Sequence, residues 1–302
     1  MKDFLIDPCL RITPSSCQND PFECSYTIDD LKNHDVESLR SFSNLHGIIS
    51  LSSTHESIAM WSHYTDNHKG FVVTIDVDID VPNELFYNSL ISKKHPEHAD
   101  FLFDKVNYTT QRSYPKNIVS LDGDQIKKHY YFTKSDEWEK EEEYRFIVPF
   151  NCVNRILLKK SFLNNNPNIL LFFKDNIFEL NESYWEVKEE YVFIMVMQFY
   201  ELKKLWGESS EDNVIFLIRL NSGVPGYKSS PIRGLYLGCK ADKTDVISKF
   251  EEIELEDNPC NITSNYMHVF TGELHSIKYG KENYNQYKIS FDELKHNFYK
   301  SE

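Results

Sequence analysis

A change to strict two-residue alternation near the middle of the chain places the strongest constraint on its fold. From Glu143 onward the apolar side chains fall on every second position, at Tyr144, Phe146, Val148 and Phe150. Glu143 and Arg145 fall on the opposite face, so the segment predicts a strand with one apolar face and one charged face. The aromatic share of 14% (21 Phe, 18 Tyr and 4 Trp) also favours a sheet-rich fold.

Other segments predict the remaining elements. Strands are expected at Gly47 to Leu51, Phe71 to Val77, Phe103 to Tyr108, Ile169 to Phe173, Val214 to Leu220, Ile232 to Cys239, His275 to Tyr279 and Gln286 to Phe291. Helices are expected after the capping-box-like pair Thr27 and Asp30, at His55 to Tyr64, at Gln125 to Trp138 and at Asp242 to Phe250. We therefore expect an α+β fold with a mixed, mostly antiparallel sheet, whole or split, and flanking helices.

Apolar residues on both faces of Phe71 to Val77 predict a central strand, and glycines in Ile232 to Cys239 predict close backbone approach. A chain of 302 residues with 40% hydrophobic content can bury one large core or two modest ones. We predict a core domain of residues 1–159 and 213–302 with an inserted lobe at 160–212. The apolar density of that lobe predicts a surface for a protein partner or a homodimer.

Charge and cysteine usage narrow the functional classes. With 47 acidic and 33 basic residues the net charge is −14, so bulk nucleic-acid binding is not expected. Six cysteines contain no Cys-x-x-Cys pair and no signal peptide is apparent, which predicts reduced thiols in the cytoplasm. The spacing of Cys9, Cys17 and Cys24 is irregular for zinc, and no metal site is expected. The longest apolar run, around Val192 to Met197, is too short to cross a bilayer.

A short connection rich in polar rings predicts the first half of a pocket. Trp61, His63 and Tyr64 are followed closely by His68 and Lys69, just before the apolar run that starts at Phe71. Rings and cations beside a scaffold strand are typical of binding and catalytic sites. The alternative is that these residues belong to the core of the protein, because buried Trp, Tyr and His side chains with satisfied hydrogen bonds are common in protein cores.

Charged residues near the alternating strand predict the second half. Lys134, Trp138 and Glu141 share one face if the predicted helix continues that far, and Glu143 and Arg145 follow on one face of the strand. The side chains on the helix face and those on the strand face are therefore expected to lie close together. The alternative is that Glu143 and Arg145 form only a surface ion pair, worth under about 1 kcal/mol.

An early turn adds further candidates. The sequence Asn19-Asp20-Pro21 fixes a turn that can present Asn19, Asp20 and Glu23 to a ligand. A loop packed by Phe22 is the alternative that the residues leave open.

Taken in order, these motifs resemble a bacterial family known as domain of unknown function 2971. The resemblance rests on Asn19 to Glu23, Ser50 to Ser53, Met60 to Tyr64, His68 to Phe71, Lys134 to Trp138, Glu141 to Arg145, and Gly234 to Lys240. It covers roughly residues 5 to 160 and 230 to 292. Some members lie near mobile-element and anti-phage genes, which implies a role in defence or as a toxin.

The layout also resembles, more loosely, the ADP-ribosyltransferase fold, a split sheet that clamps NAD. That resemblance implies NAD as a cofactor and Glu143 as the residue that orients the ribose. It implies His63 and Tyr64 as further catalytic groups. It implies a cofactor pocket lined by Asn19, Asp20, Trp61, Lys69, Lys134 and Arg145.

The chain departs from the family pattern at its start. Family members usually begin with a strand rich in Tyr, Lys and Arg, and this chain begins too late to contain it. We expect the early Arg or His either to be missing or to be replaced by Arg11. Either the pocket is incomplete or the true start of the chain lies upstream of Met1.

Three functions are consistent with these residues. Glycosidic transfer from NAD would use Glu143 to stabilise an oxocarbenium-like state. Metal-dependent nuclease chemistry would need Asp20, Glu141 and Glu143 on magnesium, with Lys134 beside it. A non-enzymatic sensor module would hold a nucleotide, a dinucleotide or a peptide in the same pocket, or the pocket would only stabilise the fold. The inserted lobe would then bind a protein partner.

Overall fold

The fold was analysed in a computed structural model. It describes residues 4, 7–20, 23–24, 33–86, 101–110, 123–198, 200–207, 212–221, 231–242, 244–245, 270–279 and 282–291. The strands are β1 (Cys9–Pro14), β2 (His46–Ser52), β3 (Phe71–Ile75), β4 (Leu102–Lys105), β5 (Asn107–Thr109), β6 (Thr133–Ser135), β7 (Glu143–Pro149), β8 (Arg155–Lys159), β9 (Ile177–Glu179), β10 (Tyr184–Val187), β11 (Val214–Arg219), β12 (Ile232–Leu237), β13 (Phe270–Tyr279) and β14 (Glu282–Phe291). The helices are α1 (Asn33–Ser43), α2 (Ile58–Tyr64), α3 (Gly123–Tyr131), α4 (Lys160–Asn165), α5 (Pro167–Phe173), α6 (Glu189–Gln198) and α7 (Tyr200–Gly207). The predicted α+β class is confirmed.

The chain divides into two compact units. Unit 1 contains Met1–Pro8, Thr54–Tyr87 and Leu220–Glu302, and unit 2 contains Cys9–Ser53 and Asn88–Arg219. Strands β9 and β10, which fall within the predicted lobe, belong to the main sheet of unit 2. The predicted boundaries of the core domain and the inserted lobe stay a prediction.

Unit 2 is built on an eight-stranded sheet in the order β4-β7-β2-β1-β11-β8-β10-β9. Every pairing in it is antiparallel. Strand β1 joins the two halves, because Cys9 to Ile12 pair with β11 and Thr13 and Pro14 pair with β2. The strand predicted from Glu143 onward is confirmed as β7, but both of its faces are buried, because Phe146, Ile147 and Val148 are all 0% exposed, and Phe150 lies in the following 3-10 helix.

Helix α1 packs on the sheet through Leu39 and Phe42, as their helical spacing predicts, and it shares a core with α3. Residues Thr27 and Asp30 of the predicted cap lie outside the described residues.

The strand predicted at Ile169 to Phe173 is wrong, because these residues form α5. Pro167 begins that helix at a position where its missing N–H costs nothing, and the aromatic content misled the sequence interpretation.

The helix predicted from Gln125 to Trp138 is also wrong in its second half. Helix α3 ends at Tyr131, and the chain continues as strand β6 and then as a 3-10 helix, Asp136–Glu141. Strand β6 pairs in parallel with β5, so tertiary pairing overrides the helical spacing there. The strand predicted at Phe103 to Tyr108 is likewise two strands, β4 and β5.

Unit 1 contains an antiparallel sheet in the order β13-β14-β12-β3. The predicted C-terminal strand pair is confirmed as β13 and β14. Strand β3 lies at the edge of the described sheet and none of its residues is fully buried, so the predicted central position is wrong. Its apolar residues on both faces are half-buried, and such a run does not separate edge from centre.

Only the start of the helix predicted from Asp242 to Phe250 is described. The side chain of Asp242 accepts hydrogen bonds from the N–H groups of Thr244 and Asp245, as an N-cap does. Within the described ranges, no helix combines the length and the apolar character that a bilayer span requires.

Candidate functional site

Glu143 and Arg145 form a buried ion pair at the start of β7. They are two residues apart on one strand, so their side chains share a face. Arg145 donates from Nε to Glu143 Oε1 at 2.6 Å and from Nη2 to Oε2 at 2.9 Å. Its Nη1 donates to the carbonyl oxygen of Tyr131 at 2.7 Å. Arg145 is 0% exposed and Glu143 is 3% exposed, so this is not the surface pair that the sequence left open.

Lys134 connects this pair to two further carboxylates. Its Nζ lies 2.6 Å from Glu141 Oε2, 3.1 Å from Glu143 Oε2 and 2.9 Å from Glu23 Oε1. The same Glu23 oxygen lies 2.9 Å from Arg145 Nη2. All five residues are buried. We call Glu23, Lys134, Glu141, Glu143 and Arg145 the charge cluster.

The charges in the cluster shift the pKa of Lys134, Glu143 and Arg145. Burial by itself raises the pKa of Glu143, but the hydrogen bonds and charge of Arg145, with the charge of Lys134, outweigh it and lower that pKa overall. Burial opposes the charge on Lys134 and Arg145, yet the surrounding carboxylates raise the pKa of both. With three carboxylates against two cations the ionised cluster carries one excess negative charge, and Glu23 Oε2 finds no hydrogen-bond donor among the described residues.

Two local features bring Lys134 to the cluster. It lies on β6, and Asp20 fixes the end of that strand by accepting a hydrogen bond from the Ser135 N–H at 2.9 Å. Trp138, on the following 3-10 helix, places its ring 5.0 Å from Lys134 Nζ, which is cation–π geometry. Lys134 and Trp138 are therefore in contact, although they do not share the α-helix that the sequence predicted. Asn19 is exposed, whereas Asp20 is buried.

Sequence reasoning missed the contribution of Tyr108. Its hydroxyl oxygen accepts a hydrogen bond from the backbone N–H of Glu143 at 2.9 Å. Ser52 Oγ donates to the Glu141 carbonyl oxygen at 2.7 Å, which holds the other end of the cluster. No short-range pattern marks either contact, because the partners are 35 and 89 residues apart in the chain.

The first half of the predicted pocket lies in unit 1. Trp61 is buried, and its Nε1 donates to the His55 carbonyl oxygen at 2.6 Å. His63 is exposed, and Tyr64 is 51% exposed at the end of α2. Lys69 is exposed and forms a surface ion pair with Asp66, with its Nζ 3.2 Å from Asp66 Oδ2.

The connection Thr65–Gly70, which we call the α2–β3 turn, is fixed by its backbone. Asp66, Asn67 and His68 have φ of 45°, 53° and 71°, so three successive residues adopt the left-handed conformation. The His68 N–H donates to the Trp61 carbonyl oxygen at 3.2 Å, and the His68 carbonyl oxygen accepts from the Lys240 N–H at 3.0 Å. The strain of such residues persists only where surrounding contacts impose it.

Gly238 lets β12 approach this turn. Its N–H donates to the Gly70 carbonyl oxygen at 2.9 Å, and a Cβ at Gly238 would lie 2.1 Å from the His68 carbonyl oxygen. The predicted close backbone approach is confirmed at this glycine. His55 also stacks on Tyr236 of β12, with ring centroids 3.9 Å apart, a contact that sequence reasoning missed.

The predicted site residues therefore form two groups. Glu143, Lys134, Arg145, Asn19 and Asp20 belong to unit 2, whereas Trp61, His63, Tyr64 and Lys69 belong to unit 1. A joint NAD pocket stays a prediction. Arg11, the candidate replacement for the early cation, pairs with Asp212 instead of joining the charge cluster.

The described residues contain no group of three or more His, Cys, Asp or Glu side chains arranged to hold a metal ion. In the charge cluster the carboxylates surround Lys134 and Arg145, which occupy the positions that a cation would take. None of Cys9, Cys17, Cys24, Cys152 and Cys239 forms a disulfide bond with another described residue, and Cys260 lies outside the described residues.

Comparison with known proteins gives one match. The model of a family described as "Protein of unknown function (DUF2971)" matches residues 60–146, less than a third of the chain. This segment runs from α2 to β7 and contains most of the predicted site residues, which supports the resemblance drawn from the motifs. Nothing matches among the curated proteins or among the solved structures.

Proposed function

We propose that this protein is a non-enzymatic sensor module that binds a nucleotide at the α2–β3 turn. One observation carries the proposal: Tyr64, His63 and Lys69 are all exposed, at or beside a turn whose backbone is held by hydrogen bonds with α2 and with the segment that follows β12. Side chains on a fixed backbone lose little further conformational freedom on binding, which favours recognition.

The chemistry of these side chains suits a nucleotide. The Tyr64 ring offers a stacking surface for a base, and such stacking is worth about 1–3 kcal/mol per base. The Lys69 ammonium supplies positive charge for phosphate oxygens, and the His63 ring supplies a hydrogen-bond donor. The ion pair between Lys69 and Asp66 is exposed and worth at most about 1 kcal/mol, so a phosphate can replace the carboxylate.

In this proposal Glu143 has a structural role, and its contacts within the charge cluster of unit 2 support that role. Both of its carboxylate oxygens already accept hydrogen bonds from Arg145, and Lys134 shares one of them. A buried carboxylate bound on both oxygens is poorly placed to contact a ribose. We infer that the cluster holds β7, β6 and the 3-10 helix together.

Isothermal titration calorimetry of the full chain with ATP and with NAD tests this function. We expect binding by the wild type and a dissociation constant raised about tenfold or more in Tyr64→Ala. Tyr64→Phe keeps the ring and should bind nearly as the wild type does. Lys69→Ala should weaken binding, whereas Lys188→Ala, an exposed lysine in unit 2, should not. Absence of binding at about 1 mM of either nucleotide, far above working levels, would refute the proposal.

A second candidate, an NAD-using ADP-ribosyltransferase-like or NAD glycohydrolase activity, is favoured by the excess negative charge of the charge cluster. Cleavage of the nicotinamide bond develops positive charge on the ribose, and Glu143 is kept ionised because its pKa is lowered. The half-buried ring of Trp138 beside Lys134 offers a stacking surface. This candidate requires the cluster to open toward a substrate.

Incubation with labelled NAD separates the two functions. Nicotinamide release that is lost in Glu143→Gln, while the melting temperature is unchanged, would establish the enzyme. No release by the wild type, together with a lowered melting temperature for the variant, supports the sensor. Glu137→Gln, an exposed carboxylate on the same 3-10 helix as Trp138, is the matched control. A cytoplasmic setting in anti-phage defence rests on the sequence alone and stays part of the proposal.

A further inference from the structure

Unit 2 presents large apolar side chains to solvent on two adjacent helices. Leu170, Leu171 and Phe172 of α5 and Phe193, Ile194 and Met197 of α6 are between 36% and 69% exposed. The helices adjoin, because the rings of Phe172 and Tyr191 have centroids 5.9 Å apart. We call these six residues the α5–α6 surface.

The α5–α6 surface is separate from the part of α6 that forms the core. Val192 and Met195 are buried, whereas Phe193, Ile194 and Met197 share the opposite stripe at helical spacing. Helix α6 is therefore apolar on both sides, which is unusual for a helix with one face in solvent. Such a helix normally has a second partner.

The size of the surface is that of a protein interface. A large apolar side chain has roughly 200 Å² of surface, so the exposed fractions amount to about 600 Å². The largest apolar patch on a typical monomer is about 300–600 Å², and a stable dimer buries about 800 Å² on each partner. The six residues supply most of the area that a dimer needs, before any polar rim is counted.

The charges around the surface are complementary to those of a second copy. Helix α6 begins with Glu189 and Glu190, and exposed Lys203 and Lys204 follow on α7, just beyond its end. When two α6 helices pack antiparallel about a twofold axis, the acidic start of each approaches the basic segment of the other. An isologous contact therefore satisfies both copies at once.

We propose that the α5–α6 surface is a homodimer interface, with two α6 helices packed antiparallel about a twofold axis. It is independent of the nucleotide proposal, because its residues lie in unit 2 and the α2–β3 turn lies in unit 1. Exclusion of water from the apolar stripes provides the affinity, and the flanking charges fix the antiparallel orientation.

Sedimentation velocity of the full chain at about 1–50 μM, a range that spans a micromolar dimer, tests the proposal. We expect a concentration-dependent dimer for the wild type and a monomer for Leu171→Glu and for Met197→Glu. Leu171 is 69% exposed and Met197 is 66% exposed, so each variant should melt as the wild type does. Ile79→Glu, at a more exposed apolar residue in unit 1, should leave the dimer intact.

Three results would overturn it. They are a wild type that stays monomeric throughout, a dimer that both variants keep, and a dimer that Ile79→Glu also disrupts. A monomeric wild type that binds lipid vesicles through Leu171 and Met197 would assign the surface to a membrane instead. If a glutamate variant melts early, Met197→Gln replaces it, and it should weaken the dimer without loss of fold.

Discussion

At the scale of single residues, the charge cluster shows how five ionised groups remain buried together. Three carboxylates and two cations each find an opposite charge within about 3 Å, so the cost of removing them from water is largely offset within the cluster. Such a cluster is sensitive to the loss of one member, because the remaining charges lose their compensation. Stability measurements on Glu143 therefore report on its role.

Glu143→Gln should destabilise unit 2 by about 3–5 kcal/mol, because it leaves Arg145 and Lys134 buried with less opposing charge. Urea denaturation at pH 7 measures the change. Glu137→Gln removes an exposed carboxylate and should lie within about 0.5 kcal/mol of the wild type. A loss below about 1 kcal/mol for Glu143→Gln would mean that the pair adds little to stability.

The difference between wild type and Glu143→Gln should also depend on pH. The pKa of Glu143 is lower in the folded chain than in the unfolded chain, where it is about 4.3. Its contribution to the free energy of unfolding is therefore complete above the unfolded pKa and is lost as the pH falls through the folded pKa. Denaturation between pH 3 and pH 8 should show a constant gap above about pH 5 and a narrowing gap below about pH 4. A gap that widens in acid would contradict this sign.

At the scale of elements, the alternation after Glu143 predicted a strand correctly, whereas the helical spacing after Tyr131 predicted a helix where the chain forms a strand and a 3-10 helix. Strand β7 follows from period two, whereas β2, β11 and the pair β13 and β14 were predicted from short runs of strand-forming residues. The segment after Tyr131 carries helical spacing, yet its backbone pairs with β5, a partner that no local pattern reveals. Ile169 to Phe173 fails for a related reason, since a short apolar run fits a helix and a strand equally.

The candidate site was predictable in its composition and not in its geometry. Lys134, Glu143 and Arg145 were named from charge and alternation, and they meet in the structure. Tyr108 and the Gly238 contact depend on pairings between distant segments, so the sequence shows only the glycine and not its partner. Burial was not predictable either, because an isolated Glu-x-Arg reads as a surface pair.

The α2–β3 turn allows a test at this scale. Gly238→Ala places a methyl group against the His68 carbonyl oxygen, a backbone atom that cannot move without shifting the turn. We expect a loss of about 1–3 kcal/mol in stability and weaker nucleotide binding. Gly123→Ala meets no atom within 4 Å and should be nearly neutral. Denaturation and calorimetry measure both effects, and an unperturbed Gly238→Ala would mean that the turn has room to move.

At the scale of the whole molecule, net charge opposes self-association and apolar area favours it. Each copy carries a net charge of −14, so two copies repel one another in a buffer of low ionic strength. The contacts proposed between the acidic start of α6 and the basic segment of α7 involve exposed residues, and exposed ion pairs are worth only about 0.2–1 kcal/mol. The repulsion between the net charges should therefore affect the salt dependence of the dissociation constant more than the attraction between the exposed ion pairs does.

The proposed dimer should consequently become tighter as salt is added. Raising NaCl from 50 to 500 mM shortens the screening length from above 10 Å to about 4 Å, which removes most of the repulsion and leaves the apolar contact intact. We expect the dissociation constant from sedimentation to fall about three- to tenfold, a change of about 1 kcal/mol. Met197→Glu should stay monomeric at every salt concentration. A dimer that weakens with salt would mean that ion pairs hold the copies together, and the apolar α5–α6 surface would then need another partner.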